Sequence, residues 1–184
     1  MDMLELIKAT LALFAIVDPV GVIPIFLLAT HGYTLTQSRS AARIAALTVL
    51  GVLTLFTFLG QPMLAVFGIR LASFSVAGGL LLLLLALSMV QARVSPQRQT
   101  EDEAVEAEEK DAVGVVPLGI PLLAGPGAIT HMIVAAGAAK GEVLHQAALL
   151  VPVALVALSV WLSFRAAPAI ARQLGKTGIH VVTR

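Results

Sequence analysis

The chain contains no cysteine and few charged residues, and both shortages narrow the class of protein. Without cysteine there is no disulfide framework and no thiolate nucleophile or metal ligand. Charged residues make up 12% of the 184 residues, against about 25% in soluble domains. Hydrophobic residues make up 58%, and the mean hydropathy is +0.95. The composition therefore predicts a membrane protein.

Five apolar stretches carry almost none of the charge, and each approaches the roughly 20 residues that cross a bilayer core. The predicted spans are residues 6–29, 44–60, 71–91, 113–138 and 146–164. The chain begins with an acidic segment, whereas a secretory signal begins with a positive one, and its first apolar run is too long for such a signal. We therefore expect the first run to be retained as a span.

The distribution of lysine and arginine predicts the orientation, because these residues favour cytoplasmic loops. An outside N-terminus places nine of them inside and three outside. Loop 92–112 is then cytoplasmic, and we interpret its acidic run at 101–109 as a solvated linker. A net charge of +1 without a basic stripe gives no indication of a nucleic-acid partner.

The linker divides the chain into a first repeat at 1–91, the linker at 92–112 and a second repeat at 113–184. Three spans in the first repeat mean that a second copy would be inverted in the membrane. The predicted fold is an all-α polytopic helix bundle of two inverted-topology three-helix repeats with broken first helices. Only five of six spans are visible, so we expect the second repeat to be truncated before its third helix.

Proline and glycine interrupt the first span of each half. Residues 18–24 read DPVGVIP and residues 120–130 read IPLLAGPGAIT. A break in a membrane helix leaves backbone groups that hydrocarbon cannot satisfy, so breaks persist where they face protein or a water-filled cavity. Matching breaks in two halves predict the substrate site of a transporter.

Asp18 is the only acidic residue within the predicted spans. Asp followed by Pro favours a helix start, so Asp18 and Pro19 are predicted as the N-cap and first residue of a half-helix. Intramembrane carboxylates are functional candidates, and this one can pair with a substrate ammonium or carry a coupling proton. The alternative is that Asp18 only caps the helix.

The second break is predicted to favour an anion, whereas Asp18 in the first break favours a cation. A helix that restarts after Pro126 would aim free N–H groups at an anion, and the flanking glycines allow close approach. A carboxylate site facing an anion site suits a zwitterion such as glycine or alanine. The alternative is a kink that only shapes helix packing. Small residues at 78–79 and 135–139 are expected to line helix contacts.

The predicted site therefore has two sets of residues. The substrate-binding candidates are Asp18, Pro19, Gly21, Pro24, Gly125, Pro126, Gly127 and Thr130, and the proton-coupling candidates are Asp18 and His131. The histidines lack metal-ligand spacing, so no metal site is expected. No nucleophile elbow, phosphate-binding loop or paired intramembrane carboxylates occur, so we expect neither an enzyme nor a cofactor.

These two motifs, together with Pro117 and Pro121, resemble the MarC family of bacterial inner-membrane proteins along essentially the whole chain. The resemblance implies a six-span protein grouped with transporters of neutral amino acids such as alanine and glycine. The chain departs from the pattern at Val22, where the family usually has Asn, and in lacking a sixth span. We interpret it as a truncated member, and a frameshift or a helix supplied by another subunit are the alternatives.

Two functional hypotheses follow. The first is a secondary transporter, in the exporting direction, of small neutral amino acids coupled to H⁺ or Na⁺, in contact with membrane lipid and able to form a homo-oligomer. The second is a non-transporting scaffold or regulatory subunit that acts through the acidic loop.

Overall fold

The computed structural model describes residues 3–90, 123–138 and 143–182, and every regular element within these ranges is a helix. The helices are α1 (Met3–Val17), α2 (Ile23–Ala29), α3 (Leu35–Val66), α4 (Leu71–Val90), α5 (Pro126–Ala138), α6 (Val143–Ala148) and α7 (Leu150–Val182). The all-helical prediction is confirmed for these residues. The predicted linker at 92–112, together with Pro117 and Pro121, lies outside them.

Two helical segments are long and apolar enough to cross a membrane by length and composition, Leu35–Val66 and Leu144–Ile170. The predicted second span, 44–60, is shorter than α3 because polar residues at both ends of this helix are also helical. A capping box begins α3: the Gln37 amide donates to Thr34 Oγ1 at 3.3 Å, and the Thr34 amide donates to Gln37 Oε1 at 3.0 Å.

The fifth predicted span differs from the structure at its C-terminal end. The prediction ended it at residue 164, whereas α7 continues through Pro168 to Val182. Alanine-rich sequence around Pro168 favours helix, and a single proline can be accommodated when the neighbouring turns hold. Residues 165–182, which follow the last predicted span, therefore continue α7.

The first span is broken, as predicted, but the second part begins later than expected. Helix α1 ends at Val17, and α2 begins at Ile23 with Val22 as its N-cap and Pro24 in its first turn. The assignment of Asp18 and Pro19 as N-cap and first helical residue is wrong. The motif contains two prolines, and the second one, not the first, lies at the start of the half-helix.

Helix α5 lies among α1, α3 and α4, and glycines permit the close contacts. A Cβ on Gly60 would collide with Ile133, and a Cβ on Gly78 would collide with Thr130, whereas one on Gly79 would meet nothing within 4 Å. Of the glycine pair at 78–79, the first therefore packs against a neighbour and the second does not.

The contacts of α5 also give the helix directions. Along α4, Leu71 lies near Gly137 and Leu82 lies near Gly127, so α4 and α5 are antiparallel. Along α1, Ala9 hydrogen bonds to His131 and Ile16 lies near Gly127, so α1 and α5 are antiparallel too. Helix α5 therefore runs antiparallel to both α1 and α4.

The core lies between α1, α2, α3, α5 and α7, with Phe26 of α2 stacked on Phe164 of α7 at a ring-centroid distance of 4.3 Å. Large apolar side chains are exposed on the outward surface of α4, including Val76 at 74% and Leu80 at 55%. Water-soluble monomers rarely expose continuous apolar surfaces of this kind. Hydrocarbon accommodates them without cost.

Candidate functional site at the first helix break

The chain leaves α1 through a residue in the left-handed region. Asp18 has φ 43°, and aspartate tolerates this conformation better than most residues because its short polar side chain bonds locally. Its amide still donates to the Phe14 carbonyl at 3.0 Å. The next residue, Pro19, has no N–H, so the Ala15 carbonyl cannot receive the helical hydrogen bond that it would otherwise accept. The sequence therefore ends α1 abruptly.

The Asp18 carboxylate folds back over the turn that follows α1. Its Oδ1 accepts a hydrogen bond from the Gly21 amide at 3.0 Å, and the Asp18 carbonyl accepts one from the Val22 amide at 3.3 Å. A Cβ on Gly21 would collide with Oδ2 of Asp18, so any larger residue would displace this carboxylate. Asp18 is exposed. Within the described parts of the chain, one hydrogen bond occupies one of the roughly four lone-pair positions of the carboxylate, and the others are open to a ligand.

The C-terminal end of α1 also presents backbone acceptors. Within the described part of the chain, no backbone amide donates to the carbonyls of Ala15, Ile16 or Val17. Open carbonyls at a helix C-terminus carry a partial negative charge equivalent to about half an elementary charge. Together with Asp18, they make this end of α1 attractive to a cation or an ammonium group.

The N-terminal end of α5 has the opposite polarity. The helix begins at Pro126, as predicted, and the Gly125 carbonyl accepts from the Ile129 amide at 3.1 Å. The amides of Gly127 and Ala128 precede the first intrahelical donor and have no acceptor in the described residues. Free N–H groups and the positive end of the helix dipole favour an anion here.

The two ends meet. A Cβ on Gly127 would lie 3.3 Å from Cγ2 of Ile16, the next-to-last residue of α1, and would collide with Leu82 of α4. The negative end of α1 and the positive end of α5 are therefore neighbours, although they come from opposite halves of the sequence. A small ligand with one positive and one negative group matches this pair of helix ends.

The remaining site candidates lie at three other places. Pro19 is buried in the turn, and Pro24 lies in the first turn of α2. Thr130 is 8% exposed and packs on Gly78. No described contact joins any of these three side chains to the Asp18 carboxylate.

His131 belongs to α5 and lies beside the middle of α1, away from the break at the C-terminal end of α1. Its ring hydrogen bonds to the backbone of Ala9, nine residues before Asp18, which corresponds to about 13 Å along a helix. Its Nε2 atom is buried without a hydrogen-bond partner in the described residues. A proton passing between His131 and Asp18 would therefore need an intermediary.

Gln61 is a polar residue that sequence reasoning left out of the candidates. Its Nε2 is buried without a partner in the described part of the chain and would lie 2.8 Å from a Cβ on Gly137. The predicted second span ended at residue 60, which placed Gln61 in a loop. The sequence feature that could have identified Gln61 is a side-chain amide between two apolar stretches, directly before Pro62.

Comparison with known proteins identifies the family. The family described as MarC family integral membrane protein matches residues 3–184. The chain belongs to the MarC family. It is therefore an integral membrane protein, and the resemblance noted from the two motifs is confirmed.

Relatives in the MarC family come from bacteria and archaea. The UPF0056 membrane protein YhcE of Escherichia coli (strain K12) is 40% identical over 96% of this chain and 82% of its own length. The UPF0056 membrane protein YvbG of Bacillus subtilis (strain 168) is 35% identical over 97% and 85% respectively. A UPF0056 membrane protein of Methanocaldococcus jannaschii is 34% identical over 100% and 89%. No solved structure matched the chain.

Proposed function

We propose that this MarC family member is a secondary transporter, in the exporting direction, of small neutral amino acids such as alanine and glycine. The observation that supports this proposal most directly is the contact between Ile16 and Gly127, which sets the C-terminal end of α1 beside the N-terminal end of α5. Discontinuous helices whose ends face a common point form the substrate and ion sites of many secondary transporters.

The charges of the two ends define how an amino acid would bind. The ammonium group would approach the Asp18 carboxylate and the open carbonyls of α1, and the carboxylate would accept from the amides of Gly127 and Ala128. Both halves of the ligand are then neutralised. The inner faces carry apolar residues, including Val17 and Val22, so a small side chain fits better than a charged one.

Asp18 would couple transport to an ion gradient. An exposed carboxylate beside unpaired carbonyls can bind H⁺ or Na⁺, and either cation would neutralise it before the substrate site reorients. His131 is a second candidate, because its Nε2 atom is buried without a partner in the described residues. We place the protein in the bacterial inner membrane with its N-terminus outside and residues 92–112 in the cytoplasm, following the lysine and arginine distribution.

Exchange of labelled alanine and glycine across liposomes that contain the purified chain tests the proposal. We expect exchange by the unsubstituted chain and none by Asp18→Asn, which keeps an acceptor for Gly21 but removes the charge. Glutamine in place of the glutamates at 101–109 is the matched control, because it also removes carboxylates but leaves both helix ends intact.

The outcomes separate the hypotheses. Exchange that survives Asp18→Asn would contradict the proposed site. A folded, monodisperse chain that exchanges neither amino acid would contradict the proposed substrate class. Loss of function on substitution of the acidic run, with Asp18→Asn unaffected, would favour a scaffold that acts through that run.

A further inference from the structure

A cavity lies away from the helix break, between the first turns of α3 and the middle of α7. It has a volume of about 360 Å³ and is lined by Leu35, Ser38, Arg39, Phe164, Arg165 and Pro168, with Ala169 at its edge. Phe164 separates it from Phe26 of α2, on which its ring is stacked. The proposed transport site does not use this cavity.

Among the described residues, two guanidinium groups line the cavity and no carboxylate lines it to neutralise them. The described residues contain two carboxylates, Glu5 and Asp18, and neither lines the cavity. Arg39 and Arg165 are both exposed and form no ion pair within the described chain. Like charges around one cavity repel each other, and an anion placed between them removes that repulsion. Guanidinium forks match the geometry of phosphate oxygens.

Ser38 adds a buried donor to the same cavity. The residue is 6% exposed, lines the cavity, and its hydroxyl has no hydrogen-bond partner among the described residues. It lies in the first turns of α3, close to the positive end of that helix dipole. A hydroxyl can donate a hydrogen bond to a phosphate oxygen. The cavity thus combines two cationic side chains with one hydroxyl donor.

The surroundings on α7 are those of a membrane interface. The Arg165 guanidinium lies 5.1 Å from the Trp161 ring centroid, and tryptophan is enriched at the level of lipid headgroups. Exposed leucines at positions 155, 158 and 162 continue along the same helical face as Arg165, at spacings of three and four residues. This face therefore offers an apolar track that ends at a cation.

We propose that the cavity binds the phosphate of an anionic phospholipid, with the headgroup between Arg39 and Arg165 and an acyl chain along the exposed leucines of α7. The Ser38 hydroxyl donates to a phosphate oxygen. A zwitterionic choline lipid fits less well, because its quaternary ammonium adds a third positive charge beside the two arginines. Basic pockets between membrane helices bind acidic headgroups in this way.

The test measures thermal unfolding of the purified chain in detergent, with increasing phosphatidylglycerol or with phosphatidylcholine of the same acyl composition. A ligand that binds only the folded chain raises its free energy of unfolding by RT ln(1 + [L]/Kd), so the dependence of the unfolding midpoint on lipid concentration gives an apparent dissociation constant. We expect phosphatidylglycerol to stabilise the chain more than phosphatidylcholine. Arg39→Gln and Arg165→Gln should each weaken phosphatidylglycerol binding by about fivefold.

The control is Arg70→Gln, which removes the same charge at the connection between α3 and α4. It should leave the affinity unchanged, and all three variants should unfold at the unsubstituted midpoint without lipid. Unchanged affinity in both cavity variants would overturn the proposal. Glycerol phosphate or inorganic phosphate that stabilises the chain as well as the lipid does at equal concentration would assign the cavity to a free phosphate group and overturn the lipid assignment.

Discussion

The Gly21 amide donates a hydrogen bond to the Asp18 carboxylate, and a Cβ on Gly21 would occupy the space that this carboxylate fills. The two residues therefore act as one unit. Glycine supplies both the donor and the room, and the left-handed conformation of Asp18 turns its side chain towards that donor. The orientation of the only described intramembrane carboxylate of the proposed site depends on the absence of one methyl group.

Gly21→Ala tests this dependence. The added methyl group should displace the Asp18 carboxylate and abolish labelled alanine exchange in liposomes, because the ammonium site is then misplaced. Gly51→Ala is the control, since a Cβ on Gly51 meets nothing within 4 Å. Full exchange by Gly21→Ala would show that the carboxylate position seen here is not required.

Asp18→Asn and Asp18→Ala separate the structural role of Asp18 from its charge. The asparagine side chain retains an oxygen that can accept from Gly21, so its unfolding midpoint in detergent should match that of the unsubstituted chain. Alanine removes the acceptor, and we expect a loss of about 1 kcal/mol, the usual net contribution of one hydrogen bond. A large loss of stability for Asp18→Asn would indicate that the charge itself supports the fold.

Two neighbouring glycines give a matched test of the α4 and α5 contact. Gly78→Ala should destabilise the chain by about 1–3 kcal/mol, the usual cost of overpacking a tight contact, because its Cβ collides with Thr130. Gly79→Ala should be neutral or slightly stabilising, since its Cβ is in open space and alanine favours helix. Thermal unfolding of both variants measures the difference. Equal midpoints would contradict the close approach of α4 and α5.

Gln61→Leu should raise the unfolding midpoint, in contrast to most substitutions in a helix bundle. The Gln61 Nε2 atom is buried without a partner in the described residues, and an unsatisfied buried donor costs about 1–3 kcal/mol. Gln37→Leu is the comparison in the same helix and should lower the midpoint, because Gln37 completes the capping box with Thr34. A lower midpoint for Gln61→Leu would mean that its amide binds a water molecule or ligand.

A single proline correctly predicted where α5 begins, whereas Pro62 and Pro168 lie inside helices that the sequence predicted to end before them. Pro126 marks the start of α5 as expected, because glycine precedes it and a proline loses no hydrogen bond at the first helical position. Residues 18–24 contain two prolines, and the rule for a capped start applied equally to Pro19. Only the backbone decides between them: the left-handed Asp18 makes an extra turn before α2 begins.

The sequence predicted that the two breaks face each other but not which residues approach each other there. The proximity of Ile16 and Gly127 depends on how α1 and α5 cross, and no local pattern encodes a crossing between helices so far apart in sequence. The cavity between Arg39 and Arg165 was not predicted for the same reason. Both arginines were assigned to one side of the membrane from their charge alone, and their common cavity requires α3 and α7 to pack side by side.

The meeting of α1 with α5 also has a consequence for biosynthesis. Helices enter the membrane in the order of translation, so α1 with its open carbonyls is inserted well before α5 is made. Until then the carbonyls of Ala15 to Val17 have neither a neighbouring positive helix end nor a ligand, and lipid cannot satisfy them. The proposed ligand site is therefore incomplete in the nascent first half, and it forms only when α5 is inserted beside α1.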